Sequence, residues 1–259
     1  MFPHGLADMI FGPLLIFIRI SSLVMALPFM GVGIAPPQLR IGLSIALTAI
    51  VAPLIGSATI GVPHSISVFV FLVLREIVVG LSLGWLTAAI MLSLPVAGQI
   101  ISYQMGLSSV LLPNTEIGPN STLVANALSI MLPAVVFTTG LFLLPVLAII
   151  RSFRVIPLTS TIINTHLPPA GLLLRFAVRA VSAEFVTALH LAAPFLFIGL
   201  LWQAGLGLMS KVAPSMQVYF VAAPLQLLGG MFLLAILASP MLTVWQDAML
   251  PLLHAYASW

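Results

Sequence analysis

The chain contains no cysteine and very few charged residues. Among its 259 residues there are eight Lys or Arg and five Asp or Glu, which together make up 5% of the chain. The absence of cysteine excludes disulfides, thiolate catalysis and zinc–thiolate sites. A soluble domain carries about a quarter charged residues, because its surface must face water. The low charge content therefore excludes a soluble globular protein.

The small excess of positive charge does not indicate nucleic-acid binding. The net charge is only +3, and the nearest approach to a basic cluster is Arg151 and Arg154, followed by Arg175 and Arg179. Phosphate recognition requires Lys and Arg gathered on one exposed face. We therefore expect no nucleic-acid partner.

Hydrophobic residues are what the sequence has in abundance, at 61% of the chain. About 20 apolar residues in a helix cross the hydrocarbon core of a bilayer. Charges and turn residues divide the chain into six candidate spans, at about 10–32, 41–61, 66–92, 123–150, 184–209 and 214–241. The sequence therefore predicts an all-α, polytopic membrane protein.

Proline and glycine predict that these helices are kinked. A proline inside a helix removes a backbone hydrogen bond and favours a bend. Five prolines fall within predicted helices: Pro53, Pro133, Pro145, Pro194 and Pro224. The uncharged run 77–115 is too long for one span, and we expect it to bend at Pro95, Gly98 and Gly106.

No arrangement of residues typical of an enzyme is present. The five histidines are scattered, and no two have the i, i+4 spacing that places metal ligands on one helix face. The phosphate-binding loop and the nucleophile-elbow motif are both missing. We therefore expect no catalytic residue, no cofactor and no metal site.

Four charged residues lie within apolar stretches: Arg19, Arg75, Glu76 and Glu184. A charge inside a span is costly and normally faces a partner or a wet cavity. Arg75 and Glu76 diverge by about 100° on a helix, so we expect separate partners, such as Arg19 with Glu76 or Glu184. We favour helix or subunit pairing over a proton or ion relay, because a relay needs more carboxylates.

A G-x-x-x-G pattern follows at Gly80 and Gly84. This spacing lets two helix backbones approach closely. The sequence leaves open whether the partner helix lies within the chain or on another subunit. Farther along, Gln99 and Tyr103 share a helix face, which suits a polar interface or a water-lined cavity.

Several fragments, taken in order, resemble the FliR family of flagellar biosynthetic proteins and its injectisome counterparts. They are Leu27-Pro28-Phe29, Pro36-Pro37-Gln38-Leu39-Arg40, Leu74-Arg75-Glu76 with Gly80 and Gly84, Gly98-Gln99 with Gln104-Met105-Gly106, Ala213-Pro214 with Met216-Gln217-Val218, and Pro224-Leu225-Gln226. The likeness runs nearly end to end. The sequence departs from it at Pro113-Asn114, where relatives often have Asp-Pro, and at Gly140-Leu141, where they often have Gly-His. It also departs at Gln226, where Lys is common.

The resemblance implies a non-enzymatic subunit of a type III protein export gate, multi-pass in the bacterial inner membrane within the flagellar basal body. Residues 1–183 would be a FliP-like helical part and residues 184–259 a FliQ-like hairpin with a short tail. The implied partners are FliP-like, FliQ-like and FlhB-like subunits, unfolded export substrates and the lipid bilayer. The alternative is a stand-alone transporter or channel with an intramembrane site at Arg75 and Glu76.

The resemblance also implies a plug loop at about 106–120 that closes the resting pore. It assigns to this gate region Met105, Gly106, Pro113, Asn114, Glu116 and Gly118. Proline, glycine and asparagine at this density independently predict an irregular segment.

Overall fold

A computed structural model gives the fold of most of the chain. It describes residues 4–30, 35–55, 62–63, 65–107, 111–114, 118–158, 170–212 and 218–257. Glu116 and the connection from 159 to 169 fall outside the described residues.

Helices make up nearly all of the described structure. In chain order they are α1 His4–Ala26, a short 3-10 helix Pro28–Met30, α2 Pro37–Ile55, α3 Ile66–Met91, α4 Ser93–Gln104, α5 Leu123–Thr139, α6 Leu143–Val155, α7 Ala170–Val212 and α8 Val218–Ala257. The five prolines expected inside helices all lie within these bounds.

The helices are long and apolar enough to cross a membrane at four places. These are Pro37–Ile55, Ile66–Gln104, Ala177–Lys211 and Ala222–Pro251. The pair α5 and α6 would make a fifth crossing if it counts as one broken span, since the two helices meet at 71°. The prediction of a polytopic, helical membrane protein is confirmed, but six candidate spans were too many. Within the described residues, the first candidate span is only a shorter apolar helix, Ile10–Ala26.

The predicted bends in the run 77–115 are only partly right. Pro95 and Gly98 lie inside α4, which is continuous through both. Pro95 is the third residue of α4, and the first turn of a helix tolerates proline because its N–H groups lack intrahelical partners. The interruption falls instead at Leu92, between α3 and α4. Helix α4 ends at Gln104, and the turn that follows it includes Gly106, whose φ is +76°, a value that favours glycine.

A short β hairpin occupies part of the segment predicted to be irregular. Strand β1, Leu111–Asn114, pairs antiparallel with β2, Gly118–Thr122, and the register shifts between Leu112 and Asn114. The hairpin backbone lies against α5, and β2 also lies against α4. Pro113, Asn114 and Gly118 are therefore parts of paired strands.

A second break, at Gly140, was missed in the sequence. Gly140 follows the last residue of α5 with φ +74°, which is the usual position for a glycine that ends a helix. The candidate span 123–150 is therefore two helices.

The chain packs as two units that are interleaved in sequence. One comprises Met1–Ile90, Gly140–Val181 and Pro251–Trp259, and the other comprises Met91–Thr139 and Ser182–Leu250. These units do not coincide with the predicted FliP-like part, 1–183, and FliQ-like hairpin, 184–259. That division concerns resemblance to other subunits and stays a prediction.

Candidate functional site

The first unit contains a fully buried ionic cluster. Arg19 of α1 and Glu76 of α3 are each 0% exposed, and Arg75 of α3 is 3% exposed. Arg19 Nε donates a hydrogen bond to Glu76 Oε2. The other carboxylate oxygen of Glu76, Oε1, accepts from Arg75 Nε at 3.1 Å and from Arg75 Nη2 at 3.0 Å. A single carboxylate is therefore shared by two guanidinium groups.

The end of α6 and the two residues after it supply further acceptors. Arg19 donates from Nη1 to Ser152 Oγ and from Nη2 to the Ile156 carbonyl, both at 3.1 Å. Arg75 Nη2 donates to the Pro157 carbonyl at 3.1 Å. Carbonyls at a helix C-terminus lack intrahelical partners and carry partial negative charge. The cluster holds two arginines and one glutamate, so it carries one net positive charge. These carbonyls help to offset that charge.

Phe153 of α6 adds an aromatic contact to the same cluster. The Arg19 guanidinium carbon lies 4.1 Å from the centre of the Phe153 ring. This is a cation–π distance, and such contacts are stronger where water is excluded. The side chain of Arg19 on α1 thus contacts both Glu76 of α3 and the end of α6.

The structure corrects the expectation that Arg75 and Glu76 have separate partners. The two side chains pair directly, because each is long enough to bend toward the other across the 100° that separates their helical positions. Of the two partners considered for Arg19, it is Glu76 that contacts it. Glu184 is partly buried on α7 and makes no ion pair within the described residues.

The cluster has the chemistry of a structural joint. Its charged groups are buried, and they bond to one another, to a serine and to backbone carbonyls. No group of three or more His, Asp or Glu suited to a metal ion occurs in the described part of the chain. Within the described part of the chain, the charged groups of the cluster bond to other groups of the protein and are shielded from solvent.

Next to the cluster, the G-x-x-x-G pattern packs within the chain. A Cβ atom built on Gly80 would overlap Ser22 Oγ and the Arg19 carbonyl of α1. A Cβ on Gly84 would lie 2.5 Å from Ala26 Cβ and 2.8 Å from the Leu23 carbonyl oxygen. The partner helix that the sequence left open is therefore α1 of the same chain.

The second unit holds the start of the predicted gate region. Gln104 is the last residue of α4, Met105 is buried and Gly106 turns the chain toward the hairpin. The side chain of Gln226 in α8 donates from Nε2 to the Gln104 carbonyl at 2.7 Å. Gln104 Nε2 lies 3.4 Å from the carbonyl oxygen of Leu196 in α7. The end of α4 is thus held by both long helices.

Met105 also borders an apolar cavity of about 210 Å³. Helices α4, α5 and α8 form its walls, and the methionines among its lining residues are Met105, Met131, Met231 and Met241. Methionine is flexible and fills irregular apolar space. The space beside Met105 therefore leaves room for its side chain to move.

Polar contacts along α4 differ in how well they match the sequence prediction. Gln99 Nε2 lies 3.4 Å from the Tyr103 hydroxyl, on the shared face that was predicted. Sequence reasoning missed Trp245 of α8, whose indole N–H donates to Ser93 Oγ at 2.9 Å while the ring is fully buried. It also missed Ser152 and the contact made by Gln226, because residues distant in sequence meet there without a local motif.

Comparison with known proteins gives matches that cover nearly the whole chain. Residues 10–252 match the family described as bacterial export proteins, family 1. The chain is 31% identical over 242 residues to a flagellar biosynthetic protein FliR of Caulobacter vibrioides, covering 93% of this chain and 94% of the relative. It is 30% identical over 223 residues to the FliR of Pectobacterium carotovorum, covering 85% and 82%.

A relative from another system matches as well. The chain is 27% identical over 227 residues to the surface presentation of antigens protein SpaR of Shigella sonnei. That match covers 86% of this chain and 84% of the relative. The similarity thus extends from one end of the chain nearly to the other in both kinds of relative.

Proposed function

Because the chain belongs to the bacterial export proteins, family 1, we propose that it is a non-enzymatic subunit of the flagellar type III protein export gate. The observation that carries this proposal is the end-to-end similarity to flagellar biosynthetic proteins. The chain is a multi-pass inner-membrane component of the export apparatus. More specifically, we propose that it forms part of the pore wall and part of the plug that closes the pore.

The length of exposed apolar surface supports a place among other subunits. Exposed apolar side chains occur along α7 from Leu174 to Met209, which is about 50 Å of helix axis at 1.5 Å per residue. The hydrocarbon core is about 30 Å thick, and helix tilts rarely exceed about 40°. Lipid alone cannot cover that length. FliP-like, FliQ-like and FlhB-like subunits would cover the rest.

The position of the hairpin supports its assignment to the plug. Non-helical backbone at membrane depth is tolerated only inside protein or along a cavity. Strands β1 and β2 lie against α4 and α5 and follow the turn at Gly106. In the proposal, this segment blocks the resting pore and moves aside for unfolded polypeptide.

The alternative of a stand-alone transporter has less support. Its site would be at Arg75 and Glu76, and both side chains are buried and bonded to groups of the protein itself. A transport site needs a group that exchanges partners as the solute passes. The ionic cluster instead joins three helices.

Co-isolation tests the assembly directly. The chain should purify in mild detergent together with FliP-like and FliQ-like subunits expressed from the same bacterium. Because the chain lacks cysteine, Leu174→Cys introduces a single thiol at a position 65% exposed in the isolated chain. That thiol should react with a maleimide in the chain alone and be protected in the complex. A monodisperse chain that isolates by itself and moves a small solute would refute the proposal.

The plug assignment has its own test. Shortening residues 107–119 in an assembled gate should raise ion leak across the membrane above the wild-type level. A shortened segment that assembles normally and leaves leak at background would rule out a plug at this position.

A further inference from the structure

Two successive residues at the end of α4 each lie against a glycine on a different long helix. A Cβ built on Gly199 of α7 would lie 2.6 Å from Gln104 Nε2. A Cβ built on Gly230 of α8 would lie 2.5 Å from Met105 Cγ. Neither contact is possible with any larger residue unless a side chain shifts. Gln104 and Met105 therefore fit into two notches that only glycine provides.

A hydrogen bond from α8 also holds the end of α4. The last carbonyls of a helix have no intrahelical donor. The carbonyl of Gln104 receives its donor from the side chain of Gln226, at 2.7 Å. Gln226 lies one helical turn before Gly230 on α8, so both meet the end of α4 from the same helix.

The atoms that these glycines face differ from those at a packing glycine in the same unit. A Cβ on Gly98 of α4 would lie 2.8 Å from Ala125 Cα, which is backbone and cannot move without separating two helices. At Gly199 and Gly230 the opposing atoms belong to side chains. The Met105 side chain has the 210 Å³ cavity beside it into which it can shift. A methyl group added at either notch therefore displaces the side chain of Gln104 or Met105 more readily than it separates helices.

The displaced residues directly precede the turn into the gate segment. Gly106 follows Met105 with φ +76°, and the hairpin begins at Leu111. We infer that Gly199, Gly230 and Gln226 are positioning residues that hold the end of α4, and with it the gate segment, in the closed arrangement. This inference rests on the proposed function, because it assigns the holding contacts of the proposed plug.

Matched glycine substitutions test the inference in the assembled gate. Gly230→Ala should raise ion leak across the membrane by roughly tenfold, because displacing the end of α4 would break the hydrogen bond from Gln226 to the Gln104 carbonyl, and losing about one such bond shifts a population by about that factor. Gly229→Ala is the control on the neighbouring residue, because a Cβ there meets nothing within 4 Å. Likewise, Gly199→Ala should raise leak, while Gly205→Ala, which also meets nothing within 4 Å, should not. All four variants exchange glycine for alanine in a helix, so their local helix propensities change equally.

Two substitutions of Gln226 distinguish the loss of a positioning contact from general damage to the fold. Gln226→Leu should raise leak, whereas Gln226→Lys, which keeps a long side chain with a donor, should leave it low. Gln226→Leu adds no bulk at a glycine notch, so it decides the question if the alanine variants fail to assemble.

The possible outcomes distinguish the inference from the proposed function. If the wild-type chain does not assemble with the gate subunits, the proposed function fails. If it assembles and Gly230→Ala leaks no more than Gly229→Ala, only the inference is overturned. Equal leak in Gln226→Leu and Gln226→Lys would overturn it as well.

Discussion

The indole nitrogen of Trp245 donates a hydrogen bond to the hydroxyl oxygen of Ser93 at 2.9 Å, and both residues are 0% exposed. Ser93 is the first residue of α4 and Trp245 lies in the second half of α8. Gln226 bonds the other end of α4 from the same helix. Helix α8 therefore makes a side-chain hydrogen bond at each end of α4.

Removing the serine hydroxyl should destabilise the chain. Ser93→Ala leaves a buried indole N–H without its acceptor, which costs about 1–3 kcal/mol. Ser44→Ala is a suitable control, because Ser44 is also buried and bonds the Arg40 carbonyl of its own helix. Thermal unfolding in detergent should show a lower midpoint for Ser93→Ala than for Ser44→Ala. Equal midpoints would mean that the Trp245 contact contributes nothing.

Replacing Glu76 of the ionic cluster should lower the stability of the chain more than replacing Arg75. Glu76→Gln leaves two buried arginines without a carboxylate, and breaking a buried ion pair in this way costs about 3–5 kcal/mol. Arg75→Met leaves Arg19 and Glu76 as a neutral pair, so its cost should be smaller. The amount of each variant in the membrane fraction measures the difference. The explanation fails if Arg75→Met lowers that amount as much as Glu76→Gln.

The crossing of α1 and α3 should depend on Gly80. Gly80→Ala places a methyl group against the backbone carbonyl of Arg19, and overpacking of this kind costs about 1–3 kcal/mol. Gly42→Ala in α2 meets nothing within 4 Å and should gain up to about 1 kcal/mol from better helix propensity. The two variants should shift the unfolding midpoint in opposite directions. A shift in the same direction would contradict close packing of α1 on α3.

Substitutions of Gly140, which follows α5, should be tolerated better the more readily the new residue adopts a positive φ. Gly140 has φ +74° and no atom within 4 Å of a built Cβ, so backbone strain alone decides the outcome. Asparagine enters this region more readily than alanine, and a β-branched residue does so least. Membrane abundance should therefore fall in the order Gly140→Asn, Gly140→Ala, Gly140→Val. Equal abundance of all three would mean that the 71° bend does not require this conformation.

The helical class and the approximate positions of the helices could be predicted from the sequence because they depend on local physics. The apolar runs did not give helix lengths: the candidate span 184–209, for example, is only part of α7. The five prolines lie in helices as expected, although Pro145, like Pro95, is the third residue of its helix. The break at Gly140 could have been found, because a glycine after an apolar run is a common helix end. Pro95 misled the prediction because a proline in the first turn begins a helix as readily as it bends one.

The contacts of the candidate sites depend on tertiary packing, which the pattern of charges does not encode. The expectation that Arg75 and Glu76 diverge considered helical position alone and neglected the length of both side chains. Gln226 and Trp245 carry no local signal, because their partners lie more than 100 residues away. Gly80 could be identified as a packing residue, but only the structure gives α1 as its partner.

The most direct measurement of the central claim is secretion by the native bacterium after deletion of this chain's gene. Flagellar export substrates in the culture medium are quantified in the wild type, in the deletion strain and in the deletion strain carrying the gene on a plasmid. An export-gate subunit predicts that secretion is lost on deletion and restored by the plasmid copy. Undiminished secretion in the deletion strain would contradict the account.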